Sequence, residues 1–280
     1  QNIRLDYGSN WKRFLLIVMN IGIVGEGVVG SAIKCGFERL GHDVFIHDIK
    51  YGTAIDVVLD TEVCYICVPT PSKDDGSCDI SIVESVVDDL LDNNYSGVIA
   101  IKSTVIPGTT EKLSKKSNRI SFVPEFLRER CATTDFIQNH EVCVIGTNSE
   151  EDYQIIKKSH GDYPQRFVHC TPTEAEFSKY FNNVHNAMEI IFANSFYELC
   201  ESMGVSYDNV KDCVKNRSNI NTVYLQCNKN YRGFGGVCLP KDTKALDFLC
   251  ETMGLDVKFF NNILEENSKY ITTVPNGMRL

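Results

Sequence analysis

Two stretches hold residues whose types and spacing suit chemistry. Gly25-Glu26-Gly27-Val28-Val29-Gly30 follows an apolar run and precedes a helical pattern, and Asp48 ends the next strand-like run. In that context the first glycine allows a tight turn, the second lets the backbone approach a pyrophosphate at a helix N-terminus, and the third lets helix and strand pack closely. Asp48 would accept hydrogen bonds from an adenosine ribose, and its charge would oppose a 2′-phosphate, so the pattern points to NAD rather than NADP. The second stretch is Gly235-Gly236-Val237-Cys238-Leu239-Pro240-Lys241-Asp242, where glycines give the backbone room beside a cysteine and a carboxylate follows one helical turn later. A thiol near Lys241 at a helix N-terminus is biased toward the thiolate, the nucleophilic form. Taken alone, such a cysteine is more often structural.

Elements that would position these residues are legible in the apolar pattern. From Asn20 to about Gly146, short apolar runs alternate with amphipathic segments, the texture of a doubly wound parallel sheet. Strands are expected over Ile21–Val24, Asp43–His47, Val63–Val68, Val98–Lys102, Ile120–Val123 and Val142–Ile145, with crossover helices over Ile80–Leu91 and Thr109–Lys115. A different texture begins at Thr171-Pro172-Thr173-Glu174, a capping box with proline in the first helical position. Nothing interrupts the following pattern until Gly204, which predicts a helix of about 30 residues, about 45 Å long. Shorter helices are expected over Asp208–Val214, Thr243–Gly254 and Asp256–Tyr270. The fold class is therefore α/β: a Rossmann-like doubly wound parallel sheet over residues 19–170, followed by a mostly helical domain over 171–280 with a long central helix.

With 280 residues, 43% hydrophobic and 23% charged, the chain has the composition of a soluble globular protein of two domains. A net charge of -9, with no run of Lys and Arg, argues against nucleic acid as a partner. The twelve cysteines are scattered through apolar runs, as buried reduced thiols in a cytoplasmic protein are. Cys64 and Cys67 have CxxC spacing but no second pair and no histidine pair nearby, so no metal is expected. Phe14–Met19 after Lys12-Arg13 imitates a signal peptide, yet it runs straight into the glycine motif, and no apolar stretch reaches the length of a membrane span.

The order of further motifs gives the chain a family resemblance. Beside the two stretches above stand Val68-Pro69-Thr70-Pro71, Lys102-Ser103-Thr104-Val105-Ile106-Pro107-Gly108-Thr109, Pro124-Glu125-Phe126-Leu127-Arg128-Glu129 and Glu176-Phe177-Ser178-Lys179-Tyr180-Phe181-Asn182-Asn183. From Met19 to about Asn267 the sequence resembles the UDP-glucose and GDP-mannose dehydrogenases. These enzymes oxidise one carbon twice with NAD, so the resemblance implies that Cys238 is the nucleophile and that Lys179 and Asn183 stabilise the developing oxyanion. Four residues apart on a helix, that pair shares a face. It further implies that Asp242 and Thr104 hold a water and help deprotonate the alcohol, and that Glu129 serves thioester hydrolysis. NAD contacts are implied for Gly25, Glu26, Gly27, Val28, Val29, Gly30, Asp48, Pro69, Thr70, Ser103, Thr104, Glu129 and Lys241. Sugar-nucleotide contacts are implied for Glu125, Phe126, Leu127, Arg128, Glu129, Lys179, Asn183, Lys229 and Gly235.

The same resemblance implies a homodimer built on the long helix, whose Phe181, Ile190, Ile191, Phe192 and Phe196 exceed what a small domain covers. Residues 1–18 precede the family's usual start and read as an extension. Two departures stand out: the connection from Asp48 to Val63 is short, and the family's third, nucleotide-covering domain is missing from the sequence up to Leu280, which predicts modest selectivity for the base. Pro-Lys-Asp-Thr-Lys after Cys238 favours UDP-glucose over GDP-mannose. A 2-hydroxyacid-type dehydrogenase acting once, or a nucleotide-binding protein without turnover, are the alternatives; the first leaves Cys238 without a role and the second leaves Cys238, Lys179, Asn183 and Asp242 intact for no reason.

Overall fold

A computed structural model describes residues 18–270, so the extension expected over 1–18 lies, apart from its last residue, outside the described part. The chain forms two compact units. One comprises the chain up to Thr70 together with Asp79–Lys179; the other comprises Pro71–Cys78 together with the chain from Tyr180 onward.

In the first unit, strands β1 (Asn20–Val24), β2 (Asp43–His47), β3 (Val63–Ile66), β4 (Val98–Ile101), β5 (Ile120–Phe122), β6 (Val142–Gly146) and β7 (Arg166–Cys170) lie in the order β2-β1-β3-β4-β5-β6-β7. The central strands are continuous apolar runs because both of their faces are covered. Alternation of side chains sends Cys64, Ile66, Ile99 and Ile101 into one core layer, and Val63, Tyr65, Val98 and Ala100 into the layer on the opposite face. Each fully buried aliphatic side chain there contributes roughly 1.5–3 kcal/mol. Cys64 and Cys67, three residues apart, fall on opposite faces, which is packing geometry rather than the converging geometry of two metal ligands.

All six expected strands form, with a seventh, β7, whose exposed Arg166 and His169 disguise it as a loop at the sheet edge. The sheet is also not wholly parallel, as the sequence led us to expect: β5 and β6 run antiparallel, through the single register pair Phe122↔Gly146. The helix between them, α4 (Ala132–Ile137), has 6 residues. At 1.5 Å per residue it spans about 9 Å, too little to return the chain to the far end of the sheet, as a parallel pair requires. Helices α1 (Val28–Arg39), α2 (Ser81–Asp92), α3 (Thr109–Leu113) and α5 (Glu150–His160) complete this unit. The short connection after Asp48 holds only two 3-10 turns, Ile49–Tyr51 and Ile55–Val58. Because β1 pairs with β2 on one side and β3 on the other, the strand order reverses beside β1, and a ligand crevice forms at such a point.

Helix α6 (Pro172–Ser202) is 31 residues long. Its capping box is realised, with the Thr171 amide and hydroxyl donating to Glu174 Oε2 at 2.8 and 2.7 Å. The division between the units falls within it, after Lys179. The second unit continues through α7 (Tyr207–Val214), α8 (Cys238–Thr252) and α9 (Phe259–Ser268), around a small core of Ala193, Cys200, Tyr207, Leu225 and Cys227. Helix α8 begins five residues before the expected Thr243. Pro240 does not break it, because amides of a first helical turn have no intrahelical acceptor to lose. Among the described residues no helix is long and apolar enough to cross a membrane.

Candidate active site

At the end of β1 the glycines have separate reasons. Gly25 has φ +94°, and a Cβ there would stand 2.7 Å from the Cys67 carbonyl oxygen, just past β3. A Cβ on Gly30 would meet the Gly25 oxygen at 2.0 Å, so strand and helix approach only without one. Gly27, by contrast, faces open space. It caps α1 without a side chain, and no acidic residue occupies the first turn, so the helix N-terminus is left to an external anion. Glu26 turns to Lys34 at 2.9 Å, while Val28 is half exposed. Asp48 accepts the Glu26 amide at 2.6 Å and the Lys50 amide at 2.8 Å, which hold its carboxyl below the usual range. Each oxygen keeps a second lone pair for a ribose hydroxyl. These residues fit a dinucleotide. Of the other expected NAD contacts, Pro69 is exposed and Thr70 buried, and Ser103 spends its hydroxyl proton on the Val68 carbonyl at 2.7 Å.

The loops after β4 and β5 are tied to the first turns of α6 by buried charge. Glu176, wholly buried, accepts the amides of Gly108 at 2.6 Å and Thr110 at 2.7 Å, which fixes the turn that follows half-buried Thr104. Burial pushes its carboxyl up, against the pull of those donors. Lys179 donates to the Glu125 carbonyl at 2.7 Å and carboxylate at 2.8 Å, and Glu125 in turn accepts the Leu127 amide at 2.7 Å. Burial would raise the Glu125 carboxyl, but the Lys179 ammonium and the Leu127 amide together bring it below the usual range. Lys179 also stands 5.9 Å from the Phe126 ring centroid. Arg128 turns its guanidinium to Asp135, and Glu129 is exposed.

In the second unit Cys238 is the exposed first residue of α8, and its N-cap, Val237, supplies no capping side chain. Asp242, one turn along, is wholly buried; Asn183 Nδ2 and Lys241 Nζ each donate to it at 2.6 Å, one to each oxygen. The glycine loop before the cysteine is anchored at its base. Arg232 lies between Tyr197 and Tyr270 at 4.8 and 4.6 Å and donates to Asn194 at 2.7 Å, while Asn267 exchanges two hydrogen bonds with Phe234 at 2.7 and 2.9 Å. Lys229 is exposed and Gly235 half-buried. An exposed thiol one helical turn from a buried carboxylate held by two donors is an arrangement that could serve covalent chemistry at a carbonyl. None of the twelve cysteines forms a disulfide.

Comparison with known proteins gives the family. Residues 49–162 match the NAD binding domain, and residues 173–269 the central domain, of the UDP-glucose/GDP-mannose dehydrogenase family. Over 295 residues the chain is 30% identical to UDP-glucose 6-dehydrogenase of Rickettsia bellii, covering 90% of this chain and 67% of that one. The chain belongs to the UDP-glucose/GDP-mannose dehydrogenase family. GDP-mannose 6-dehydrogenase of Pseudomonas aeruginosa is similar at 28% identity, over 90% of this chain and 69% of that one. The solved structure of a UDP-glucose dehydrogenase from Pyrobaculum islandicum superposes with a TM-score of 0.83 at 27% identity, covering 93% of this chain and 70% of that one. The chain thus spans about two thirds of the length of the curated relatives it matches. NAD is the cofactor of this family's first domain. The glycine motif and Asp48 lie just before the matched segment.

Two residues that the sequence reading passed over help to build these loops. Glu176 stands three residues before Lys179, and nothing in the sequence around it separates a buried glutamate from a solvated one. Asp135, seven residues beyond Arg128, gave none.

Proposed function

We propose that the protein oxidises the C6 alcohol of a nucleotide sugar to the acid in two NAD-dependent steps, with UDP-glucose as substrate and UDP-glucuronate as product. The reading rests on α8: a thiol at its exposed first residue and, about 6 Å further along the axis, a buried carboxylate held by Lys241 and Asn183. NAD, when bound, accepts hydride. Asp242 and Thr104 are assigned to deprotonation of the alcohol by way of a water. The Cys238 thiolate adds to the aldehyde carbon, at a helix end whose amides favour negative charge. Lys179 and Asn183 stabilise the oxygen that gains charge as the adduct forms, Asn183 through the second N–H of its amide. Once the adduct is oxidised to a thioester, water assisted by Glu129 attacks the acyl carbon and the thiolate leaves. One alcohol, two NAD+ and one water give one carboxylic acid, two NADH and two protons.

UDP-glucose is favoured over GDP-mannose by the Pro240-Lys241-Asp242-Thr243-Lys244 sequence after Leu239. We also propose a cytoplasmic homodimer joined through α6. On that helix Ile190 and Ile191 turn inward, whereas Phe181, Phe192 and Phe196 are exposed, so the apolar face available to a second copy is narrower than the sequence suggested. The deciding measurement is the NADH released per sugar consumed, across UDP-glucose, GDP-mannose and related nucleotide sugars. Two per UDP-glucose supports the reading; one marks a single-step dehydrogenase, and none a binding protein.

A further inference from the structure

We propose that Asp135 is a positioning residue for the segment Phe126–Glu129, holding it in the conformation that receives the nucleotide sugar; this rests on the reading of that segment given above. Five donors converge on its carboxylate. Oδ2 accepts the Arg128 amide at 3.0 Å, Arg128 Nε at 2.9 Å and the Cys131 thiol at 3.4 Å. Oδ1 accepts Arg128 Nη2 at 2.6 Å and Asn139 Nδ2 at 3.2 Å. Burial alone would raise such a carboxyl, yet the Arg128 guanidinium and amide, with Asn139 and Cys131, hold it well below the usual range. It remains ionised wherever the protein is folded near neutrality.

What makes this a positioning device is which groups are taken. Leu127 and Arg128 are consecutive, and each gives its backbone amide to a carboxylate: Leu127 to the largely buried Glu125, itself gripped by Lys179, and Arg128 to the buried Asp135. The segment has no regular structure before the 3-10 turn Glu129–Cys131, so these two anchors replace the ladder or helical bonds it lacks. Asp135 itself cannot drift. Its neighbour Phe136 is fully buried, edge-on to Phe37 at 5.4 Å and in a T-shaped contact with Tyr163 at 5.9 Å, and a Cβ on Gly36 would strike the Phe136 ring at 2.4 Å. The carboxylate thus transmits the rigidity of the core to an irregular loop, as a substrate contact requires. The Arg128 amide and guanidinium are both committed to Asp135, and its carbonyl accepts the Cys131 amide at 3.0 Å, so the residue serves the conformation of the segment.

The test compares steady-state kinetics of the full chain and its Asp135→Ala and Asp135→Asn variants, with UDP-glucose and NAD varied in turn. Asp135→Ala should raise KM for UDP-glucose about 10-fold or more while KM for NAD stays within about twofold. Asp135→Asn keeps one acceptor oxygen but turns an amide donor toward Arg128, so it should fall between, and it serves as the folded comparison if the alanine variant melts early. Arg128→Ala, which leaves the backbone amide bond in place, should cost less than Asp135→Ala. If the wild-type protein turns over and Asp135→Ala leaves KM for UDP-glucose unchanged, or raises both KM values alike, the positioning role is refuted. If the wild-type protein turns over no nucleotide sugar, the functional reading fails first and takes this proposal with it.

Discussion

In the sheet of the first unit Cys64, Cys67 and Cys143 pack among apolar side chains, and burial pushes the Cys67 and Cys143 thiols up to about 12, with Cys64 raised too. At the start of α8 the same residue type is exposed, with helix amides behind it and Asp242 one turn on. The core packed around the sheet treats other reactive groups in the same way: burial lowers Lys102, just past β4, and His160, the last residue of α5, is fully enclosed, with its Nε2 lacking a partner among the described residues. The contrast teaches that placement, not residue type, decides which groups can react. Burial in the core silences nucleophiles and bases; an exposed helix start leaves a thiol available.

The sharpest way to break that contrast is to remove one cysteine from each region. Cys238→Ala should fold and bind NAD yet make no uronic acid, releasing at most one NADH per sugar, because the second oxidation has no sulfur adduct to act on. Cys143→Ala should lose stability and keep turnover. Glucuronate formed at near wild-type rate by Cys238→Ala would refute the covalent route. Next in size, Lys179→Ala should lower kcat by about 100- to 1,000-fold in both oxidations, as loss of one oxyanion donor does. It should also lower the melting temperature, since Glu125 would be left buried without its cation. Single-turnover rates that slow in only one of the two steps would contradict the assignment. At the cofactor end, kcat/KM for NAD should exceed that for NADP by about 100-fold, a few kcal/mol of repulsion from Asp48. Asp48→Asn should narrow the gap, and an unchanged ratio would remove Asp48 from cofactor choice.

The smallest effect concerns the silenced bases. Burial lowers His42 and His160 and brings His140 down to about 4. His42 Nδ1 accepts the Met19 amide at 3.2 Å, so its Nε2 donates to the Ser159 carbonyl at 3.1 Å and the ring is neutral. The unfolded chain takes up these protons near its ordinary histidine pKa of about 6.5, while the folded protein refuses them. Stability contributed by the neutral rings is therefore complete above about pH 6.5 and declines as pH falls toward about 4. Melting at pH values across that window should show a drop of a few degrees, and His140→Gln should flatten it.

Most of the fold was legible because a parallel sheet covered on both faces writes itself as apolar runs, and because Thr171, Pro172 and Glu174 announce α6 directly. Glycine positions at the nucleotide end were equally plain, since close backbone approach excludes every other residue at Gly25 and Gly30. What stayed hidden depends on partners distant in sequence. Lys179 meets Glu125 across 54 positions, and Glu176 meets Gly108 across 68. The sequence also concealed β7, since an edge strand with exposed Arg166 and His169 lacks the apolar run of a central one, and the expected start of α8 at Thr243 is late because Pro240 stands within its first turn.

The one antiparallel junction in the sheet has a mechanical consequence. Among the described residues, strands β1 to β5 form one hydrogen-bonded block and β6 with β7 another, with Phe122 and Gly146 as the register pair between them. Across this seam the load passes to side chains: Tyr65 on β3 to Ser159 on α5 at 2.6 Å, and Arg119 before β5 to Asp152 at 2.9 Å. Such a sheet can fray as a zip with two fastenings rather than melt as one fabric. Native-state hydrogen exchange should find the β6–β7 amides opening together with those of β1–β4 in the wild-type protein, and separately, at lower free energy, once Tyr65→Phe and Arg119→Ala have cut the stitches.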